Sequence, residues 1–166
     1  MRKRYRKSAQ RKNLGGTHLK KIMFDSNVFD KLPEFIGRVQ NSAGSQYEYY
    51  ITSIQVEELC EIPDDKQDIR KTNILMLVEL RAKLVPISVF ILNGRARLGY
   101  ARLGNGEVYR KILNDKKTNI DDAVIADTAV YEGCTLVTQD KDLYKKMKNN
   151  NYDVMYLEEF LDSLES

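Results

Sequence analysis

The chain has 166 residues, a length that fits one domain with a single hydrophobic core. Its composition, 42% hydrophobic and 31% charged, excludes wholesale disorder and is ordinary for a globular protein. No apolar run approaches the roughly 20 residues of a membrane span, and the basic start lacks the apolar stretch of a signal peptide. We therefore expect a cytoplasmic protein with no membrane partner.

Charge is distributed unevenly along the chain, although the net charge is only +3. The first 21 residues contain nine lysines and arginines and no acid, whereas acids outnumber bases in the remainder. We therefore divide the chain into a flexible basic arm at residues 1–20, with His18 as an exposed linker residue, and one domain at residues 21–166. The arm either adds salt-sensitive affinity for a phosphate backbone or serves as a solubilising tail.

The cysteines and tyrosines of the domain are expected to serve packing. Cys60 and Cys134 are far apart in a chain with one histidine, which argues against a zinc site. We expect both thiols to be free, reduced and buried, with a disulfide as the alternative. The ten tyrosines are expected mainly to pack at the edges of the core.

Short apolar runs alternate with segments of helical periodicity. In chain order the pattern predicts a strand at residues 22–24, a helix at 28–39, a loop at 40–46, a strand at 47–51, a helix from 53 to about 62 and a helix at 68–84. It then predicts a strand or a strand-like connection at 85–92, a helix at 95–113, a helix at 121–132, a strand at 134–138, a helix at 143–148, a strand at 154–157 and a helix at 158–164. Strands that alternate with helices predict a three-layer α/β/α sandwich with a central, mostly parallel sheet.

Three of these helices carry further expectations. Pro33 must lie in the first turn of the helix at residues 28–39 or mark a break in it. The helix at residues 95–113 is weakened by glycines; its arginines and tyrosines either guide RNA or form a solvated face. The helix at residues 68–84 is expected to turn a set of apolar side chains toward the core. This set is Ile69, Leu75, Met76, Leu80 and Leu84.

Acidic side chains recur at the predicted carboxyl ends of the strands, where open α/β sheets bind their ligands. Asp25 follows the first strand, and Glu58 lies about two turns into the helix after the second. Asp140 follows the strand that ends at Thr138, and Asp122 opens the helix that leads into that strand. Four acids in one cleft repel one another unless cations compensate, and oxygen ligands without His or Cys select Mg²⁺ or Mn²⁺.

The segments that contain these acids resemble the successive acidic motifs of PIN domains. They read Asp-Ser-Asn at residues 25–27, Thr-Ser-Ile-Gln-Val-Glu-Glu-Leu at 52–59, Asp-Ala-Val-Ile-Ala-Asp-Thr-Ala at 122–129 and Leu-Val-Thr-Gln-Asp-Lys-Asp-Leu at 136–143. Each motif alone is common. Their order, their structural contexts and their extent over nearly the whole domain make the combination specific.

The resemblance implies an endoribonuclease, related in design to flap endonuclease cores, that cuts single-stranded RNA by means of water activated by Mg²⁺ or Mn²⁺. It implies that four acids hold the metal and that two polar neighbours orient ligands or water. The four acids are Asp25, Glu58, Asp122 and Asp140, and the two neighbours are Asn27 and Thr138. The family pattern favours Glu58 over Glu57 and Asp122 over Asp121, which then caps its helix. Asp127 and Asp142 are expected to be solvated charges.

The resemblance also implies partners and alternatives. The chain is either the toxin of a toxin–antitoxin pair of the VapC kind or an RNA-processing factor, and a toxin requires an antitoxin protein. A homodimer is also implied, for which the helix at residues 68–84 could supply the interface. The alternative function is a catalytically silent PIN module that binds RNA or protein through its basic arm. A phosphatase or a DNA-directed nuclease is a third reading, because carboxylate-held Mg²⁺ serves many phosphate chemistries.

Overall fold

The computed structural model of the chain describes residues 19–90, 99–113 and 120–165. The predicted basic arm, apart from its last two residues, lies outside these ranges, as do His18, Arg95 and Arg97. Within the described ranges, no helix is long and apolar enough to cross a membrane.

The strands of the described residues form one parallel sheet. They are β1 (Lys20–Phe24), β2 (Tyr47–Thr52), β3 (Lys83–Val85), β4 (Thr135–Thr138) and β5 (Val154–Tyr156). Their order across the sheet is β3-β2-β1-β4-β5, so β1 lies at the centre, between β2 and β4. Met23 of β1 is in register with Tyr50 on one side and Leu136 on the other. The carboxyl ends of β1, β2 and β4 therefore lie at the same edge of the sheet.

Helices connect the strands and confirm the predicted three-layer α/β/α architecture. They are α1 (Ile36–Ser42), α2 (Ser53–Cys60), α3 (Gln67–Glu79), α4 (Glu107–Leu113), α5 (Ile120–Glu132), α6 (Lys141–Asn149) and α7 (Leu157–Ser163). Short 3₁₀ turns lie at Ser26–Val28, Leu32–Phe35 and Asp64–Lys66.

Two hydrophobic clusters cover the two faces of the sheet. Successive side chains of a strand point to opposite faces, so Met23 joins one cluster and Phe24 the other. The cluster around Met23 includes side chains of α4, α5 and α6. The cluster around Phe24 includes side chains of α1, α2, α3 and α7. Because helices pack on both faces of the sheet, the central strands β1 and β4 are largely buried and apolar.

The predicted helix at residues 28–39 is wrong over its first half. The chain forms two 3₁₀ turns there, and α1 begins only at Ile36. Pro33 lies in the second 3₁₀ turn and marks the break, because proline lacks a backbone N–H and disfavours helical geometry in the residue before it. The helix then continues to Ser42, into the predicted loop.

The predicted helix at residues 68–84 is too long, and its orientation was wrong at three positions. It ends at Glu79, and Leu84 belongs to β3. Ile69, Leu75 and Leu84 are 46%, 59% and 54% exposed. Met76 and Leu80 are buried, as predicted. The inner face of α3 also contains a polar residue, Asn73, whose amide donates to Asp30 Oδ1 at 3.1 Å.

The described residues between β3 and α5 contain less regular structure than predicted. Of the predicted strand or strand-like connection at residues 85–92, only Val85 belongs to β3, and Ile87 forms an isolated pairing with Ala101. Residues 91 and 92 lie outside the described ranges. Of the predicted helix at residues 95–113, the structure describes residues 99–113, and within these only α4 is helical. Gly99 and Gly106 have φ angles of 91° and 60°, left-handed values that an α-helix does not contain.

Cys60 and Tyr131 are more exposed than predicted. Both cysteines are free, and Cys134 is buried, but Cys60 is exposed at the end of α2, where a run of exposed residues follows. Tyr131 is 59% exposed near the end of α5, and its ring lies 4.9 Å from the guanidinium of Arg102.

Asp127 was predicted to be a solvated charge, and the structure shows that it is buried. It is 5% exposed, accepts a hydrogen bond from Ser88 Oγ, and accepts another from the backbone N of Tyr109 at 2.8 Å. Tyr109 lies in the first turn of α4, where backbone N–H groups have no partner within the helix. The carboxylate thus ties α5 to the start of α4 and to the segment after β3.

We expect Asp127→Ala to lower the free energy of unfolding by about 3 kcal/mol, because it leaves the buried hydroxyl of Ser88 and the partly buried backbone N of Tyr109 without their acceptor. Urea denaturation measured without added metal checks this value. The matched control is Asp65→Ala, at an exposed position, which is expected to change the free energy by less than about 0.5 kcal/mol. Equal effects of the two substitutions would contradict a structural role for Asp127.

Candidate active site at the carboxyl edge of the sheet

Asp25 is the first residue after the central strand β1, and its side chain is buried, with 2% of the residue exposed. Its backbone N donates to Val137 O at 2.8 Å, which continues the pairing of β1 with β4 past the end of the strand. Its Oδ1 accepts a hydrogen bond from the backbone N of Ser26 at 2.8 Å. The carboxylate is thus held close to the backbone at the carboxyl edge of the sheet.

The second oxygen of Asp25 is held by the two polar residues that were predicted beside it. Asn27 Nδ2 donates to Asp25 Oδ2 at 2.6 Å, and Thr138 Oγ1 donates to the same oxygen at 2.7 Å. Asn27 Oδ1 in turn accepts from the backbone N of Gln139 at 3.1 Å, which orients the amide. Asn27 and Thr138 therefore fix the orientation of the Asp25 carboxylate across the gap between β1 and β4.

The environment raises the pKa of Asp25 from its ordinary value of 3.8 to about 7. Burial is the largest cause, because it penalises the charged form. The negative charges of Asp122 and Glu58 raise the pKa further, whereas the hydrogen bonds from Thr138 and Ser26 oppose the shift. Asp122 and Glu58 therefore both lie within electrostatic reach of Asp25.

Glu58 is oriented by its position on α2 and by a neighbour of Asp25. Ser26 Oγ donates to Glu58 Oε2. The start of α2 is fixed by Gln55, a buried residue whose Oε1 accepts from the backbone N of Thr52 at 2.6 Å and whose Nε2 donates to Phe24 O at the end of β1. Glu58 lies one turn beyond Gln55 on the same side of the helix.

Sequence reasoning missed both Ser26 and Gln55. The spacing of Thr52 and Gln55 matches a helix capping box, a signal that could have identified Gln55. The sequence contains no comparable signal for Ser26, because its contact with Glu58 joins residues 32 positions apart.

Asp122 lies in the first turn of α5. Asp121 was predicted to cap this helix, but it also lies within the first turn, because α5 begins one residue earlier, at Ile120. Ala126 and Ala129, one and two turns further along the helix, have no exposed surface, so this face packs closely, as the small side chains predict. The close packing brings the start of α5 to the edge of the sheet at which β1 ends. It is the charge of Asp122 that acts on Asp25.

Asp140 is linked to the other acids through Thr138. Its backbone N donates to Thr138 Oγ1 at 3.0 Å, the same hydroxyl that donates to Asp25. Its Oδ1 caps α6 by accepting from the backbone N atoms of Asp142 and Leu143 at 2.7 and 2.8 Å. Asp142 itself is exposed, as predicted. Asp140 thus caps α6 and also lies near Asp25, because both residues bind the hydroxyl of Thr138.

The carboxylate oxygens of the four acids suit a divalent cation, although the side chains are not arranged as a complete coordination shell. In the part of the chain that the structure describes, no three or more His, Cys, Asp or Glu side chains are arranged to hold a metal. The oxygens are hard donors of the kind that Mg²⁺ and Mn²⁺ prefer. Burial is the main cause of the raised pKa of Asp25, but the repulsion from Asp122 and Glu58 that adds to it is of the kind that a bound cation relieves.

Comparisons with known proteins bear on the family and the fold. The family model of the PIN domain matches residues 22–149. One similar solved structure is PAE2754 from Pyrobaculum aerophilum, with a TM-score of 0.57 and 15% identity over 88% of this chain and 97% of that protein. Another is a domain of a functionally unknown protein from Methanocaldococcus jannaschii, with a TM-score of 0.52 and 21% identity over 83% of this chain and 91% of that domain. At these identities the likeness concerns the fold alone. No protein with a curated description matches the sequence significantly.

Proposed function

The chain belongs to the PIN domain family, whose members are often nucleases that use divalent metals, and on this premise we propose that it is a metal-dependent endoribonuclease that cuts single-stranded RNA. The observation that carries the proposal is the buried carboxylate of Asp25, held by Asn27 and Thr138 within reach of the charges of Glu58 and Asp122. Repelling charges at the ligand-binding edge of a parallel sheet are costly for stability and useful for binding a cation.

Each of these side chains has a role in the proposal. Asp25, Glu58, Asp122 and Asp140 would hold Mg²⁺ or Mn²⁺, with Asp140 using Oδ2 because Oδ1 caps α6. The metal, when bound, supplies activation of a water for in-line attack on phosphorus and stabilisation of the leaving 3′ oxygen. Thr138 and Asn27 hold Asp25 in one orientation, and Ser26 does the same for Glu58.

A cleavage assay tests the proposal. Its substrates are a labelled single-stranded RNA, its DNA counterpart and a small phosphate ester, each with Mg²⁺, Mn²⁺ or EDTA. We expect cutting of the RNA that requires metal and little reaction of the other two substrates. RNA binding without cutting under any metal condition would instead identify a silent binding module. Faster cutting of DNA or of the ester would assign the site to a different phosphate chemistry.

Within this proposal, the cellular role that we infer is that of a toxin whose antitoxin masks the acidic site. Expression of the wild-type chain alone in a bacterial host is then expected to stop growth, because free ribonuclease activity degrades cellular RNA. Expression of Asp25→Asn at an equal level is the matched control and is expected to permit growth. Normal growth with the active wild-type enzyme would favour an RNA-processing role.

We further propose that the protein partner of α3 is a second copy of this chain. The outer face of α3 is apolar, with Ile74, Leu75 and Val78 exposed by 36%, 59% and 70%. Lys71 lies one turn before Leu75 and Glu79 one turn after it. Antiparallel packing of two α3 helices about Leu75 would place Lys71 of each copy opposite Glu79 of the other.

Leu75→Glu is expected to convert the dimer to a monomer, because it puts two carboxylates at the two-fold axis. Light scattering coupled to size exclusion at micromolar concentration measures the mass. Leu103→Glu, at an apolar position that is 91% exposed, is the matched control and should remain dimeric. A monomeric wild-type protein would contradict the proposal.

A further inference from the structure

One face of α6 carries lysines and a tyrosine that the proposed chemistry does not use. Spacings of three, four and seven residues put them on one side of the helix. They are Lys141, Tyr144, Lys145 and Lys148, which we call the α6 strip. Leu143 and Met147, on the opposite side of the helix, are buried in the core cluster around Met23. The three lysines of the strip are exposed, so the strip faces solvent.

The tyrosine of the strip stacks on a second tyrosine. The rings of Tyr144 and Tyr156 are 3.8 Å apart between centroids and 12° from parallel. Both residues are half-buried, and Lys148 Nζ lies 5.5 Å from the centroid of the Tyr144 ring. Glu159 holds this arrangement by accepting from the backbone N of Tyr156 at 2.7 Å and from Tyr144 Oη at 3.4 Å.

The tyrosine pair lies beside the acidic site. Tyr156 is the last residue of β5 and is in register with Thr138 of β4, whose hydroxyl donates to Asp25. Neighbouring strands are about 4.8 Å apart, so the tyrosine backbone lies one strand away from the site. The strip starts directly after Asp140 and extends about 10 Å along α6. It therefore leads away from the acids.

We propose that the α6 strip and Tyr156 bind the single-stranded nucleotides next to the cleaved phosphate, with an unpaired base stacked on the tyrosine pair and phosphates bound by the lysines. The inference rests on the proposed function for its substrate, and it adds the means by which a strand is held. A tyrosine ring stacks on any base that is free of its partner, and a lysine ammonium attracts phosphate without reading sequence. The strip thus selects single strands and tolerates many sequences.

Binding measured in EDTA, where no cleavage occurs, tests the tyrosine pair. The probes are a fluorescein-labelled 12-mer of uridine and the same backbone without bases, followed by fluorescence anisotropy. We expect the wild type to bind the uridine strand roughly tenfold more tightly than the abasic strand. Tyr156→Leu should lose this preference, and Tyr156→Phe should keep it because the ring remains. Tyr131→Leu is the matched control, since Tyr131 is an exposed tyrosine that precedes β4 at the opposite edge of the sheet.

The salt dependence of binding tests the lysines. Replacing all three strip lysines by alanine should reduce the slope of log affinity against log salt by about 2, at roughly 0.7 for each single-strand phosphate contact. The matched control replaces the exposed Lys20, Lys31 and Lys66 and should reduce the slope by less than about 0.7. An equal reduction in the two triple variants, or an unchanged base preference in Tyr156→Leu, would overturn the proposal.

The two proposals fail in different ways. If the wild type cuts RNA with metal, and its Tyr156→Leu and strip variants bind and cut like the wild type, the proposal for the α6 strip is refuted. The nuclease proposal then stands. If the protein cuts nothing with any metal, but shows a base-dependent binding that the Tyr156→Leu variant loses, the nuclease proposal is refuted. The α6 strip then stands as a binding surface.

Discussion

Asp25→Asn is expected to reduce metal-dependent RNA cleavage by more than about a hundredfold, since even residues that only support a metal ligand contribute 10- to 100-fold. Asn keeps the size of the side chain but removes the charge that a cation requires. It also replaces an acceptor oxygen by a donor in a position surrounded by the donors of Ser26, Asn27 and Thr138. Single-turnover cleavage of labelled RNA measures the loss.

Neighbouring acids supply matched controls for this loss. Glu58→Gln should greatly slow cleavage, and Glu57→Gln should change it less than about threefold, because Glu58 is the acid whose charge reaches Asp25. Asp122→Asn and Asp121→Asn should differ in the same direction for the same reason. Equal losses within either pair would mean that the site does not depend on these individual carboxylates.

The contribution of Asp25 to the stability of the metal-free protein is expected to fall as the pH rises from about 4 to about 7. Asp25 has a folded-state pKa of about 7 against an ordinary value of 3.8, so over this range the folded protein retains a proton that the unfolded chain has released. The stabilising contribution is complete below the unfolded pKa and is lost as the pH rises through the folded pKa. The loss has an upper bound on the order of 4 kcal/mol, at about 1.4 kcal/mol for each pKa unit.

Urea denaturation in EDTA at several pH values, in parallel on wild type and Asp25→Asn, measures this dependence. The difference between the two pH profiles isolates Asp25, because all other titrating groups are shared. The variant should lack the decline between about pH 4 and 7. Mg²⁺ should stabilise the wild type at pH 8 more than the variant, because the ligand binds only the folded state. Parallel profiles would show that the pKa of Asp25 is not raised in the folded protein.

The sequence by itself determined the architecture and the positions of the acids. Apolar runs that alternate with helical periodicity predict a parallel sheet with helices on both faces, and the structure has this fold. Because parallel strands end at a common edge, the location of Asp25 and Thr138 directly at strand ends predicts that they lie close together. These are local patterns and a topological rule, and neither requires knowledge of long-range contacts.

Only the tertiary structure decided which side of each element is buried and what each charge contacts. Asp127 has the same local setting as a solvated helical acid, and its burial depends on Ser88 and the start of α4, 39 and 18 residues away. The inner face of α3 contains the buried Asn73, which contacts Asp30, 43 residues away in sequence. The break in the predicted helix at residues 95–113 follows from left-handed glycines. The raised pKa of Asp25 likewise arises from burial and from charges on α2 and α5. Burial and Coulomb energy depend on which distant residues meet in space, so a local pattern predicts where an acid is placed and not the environment it experiences.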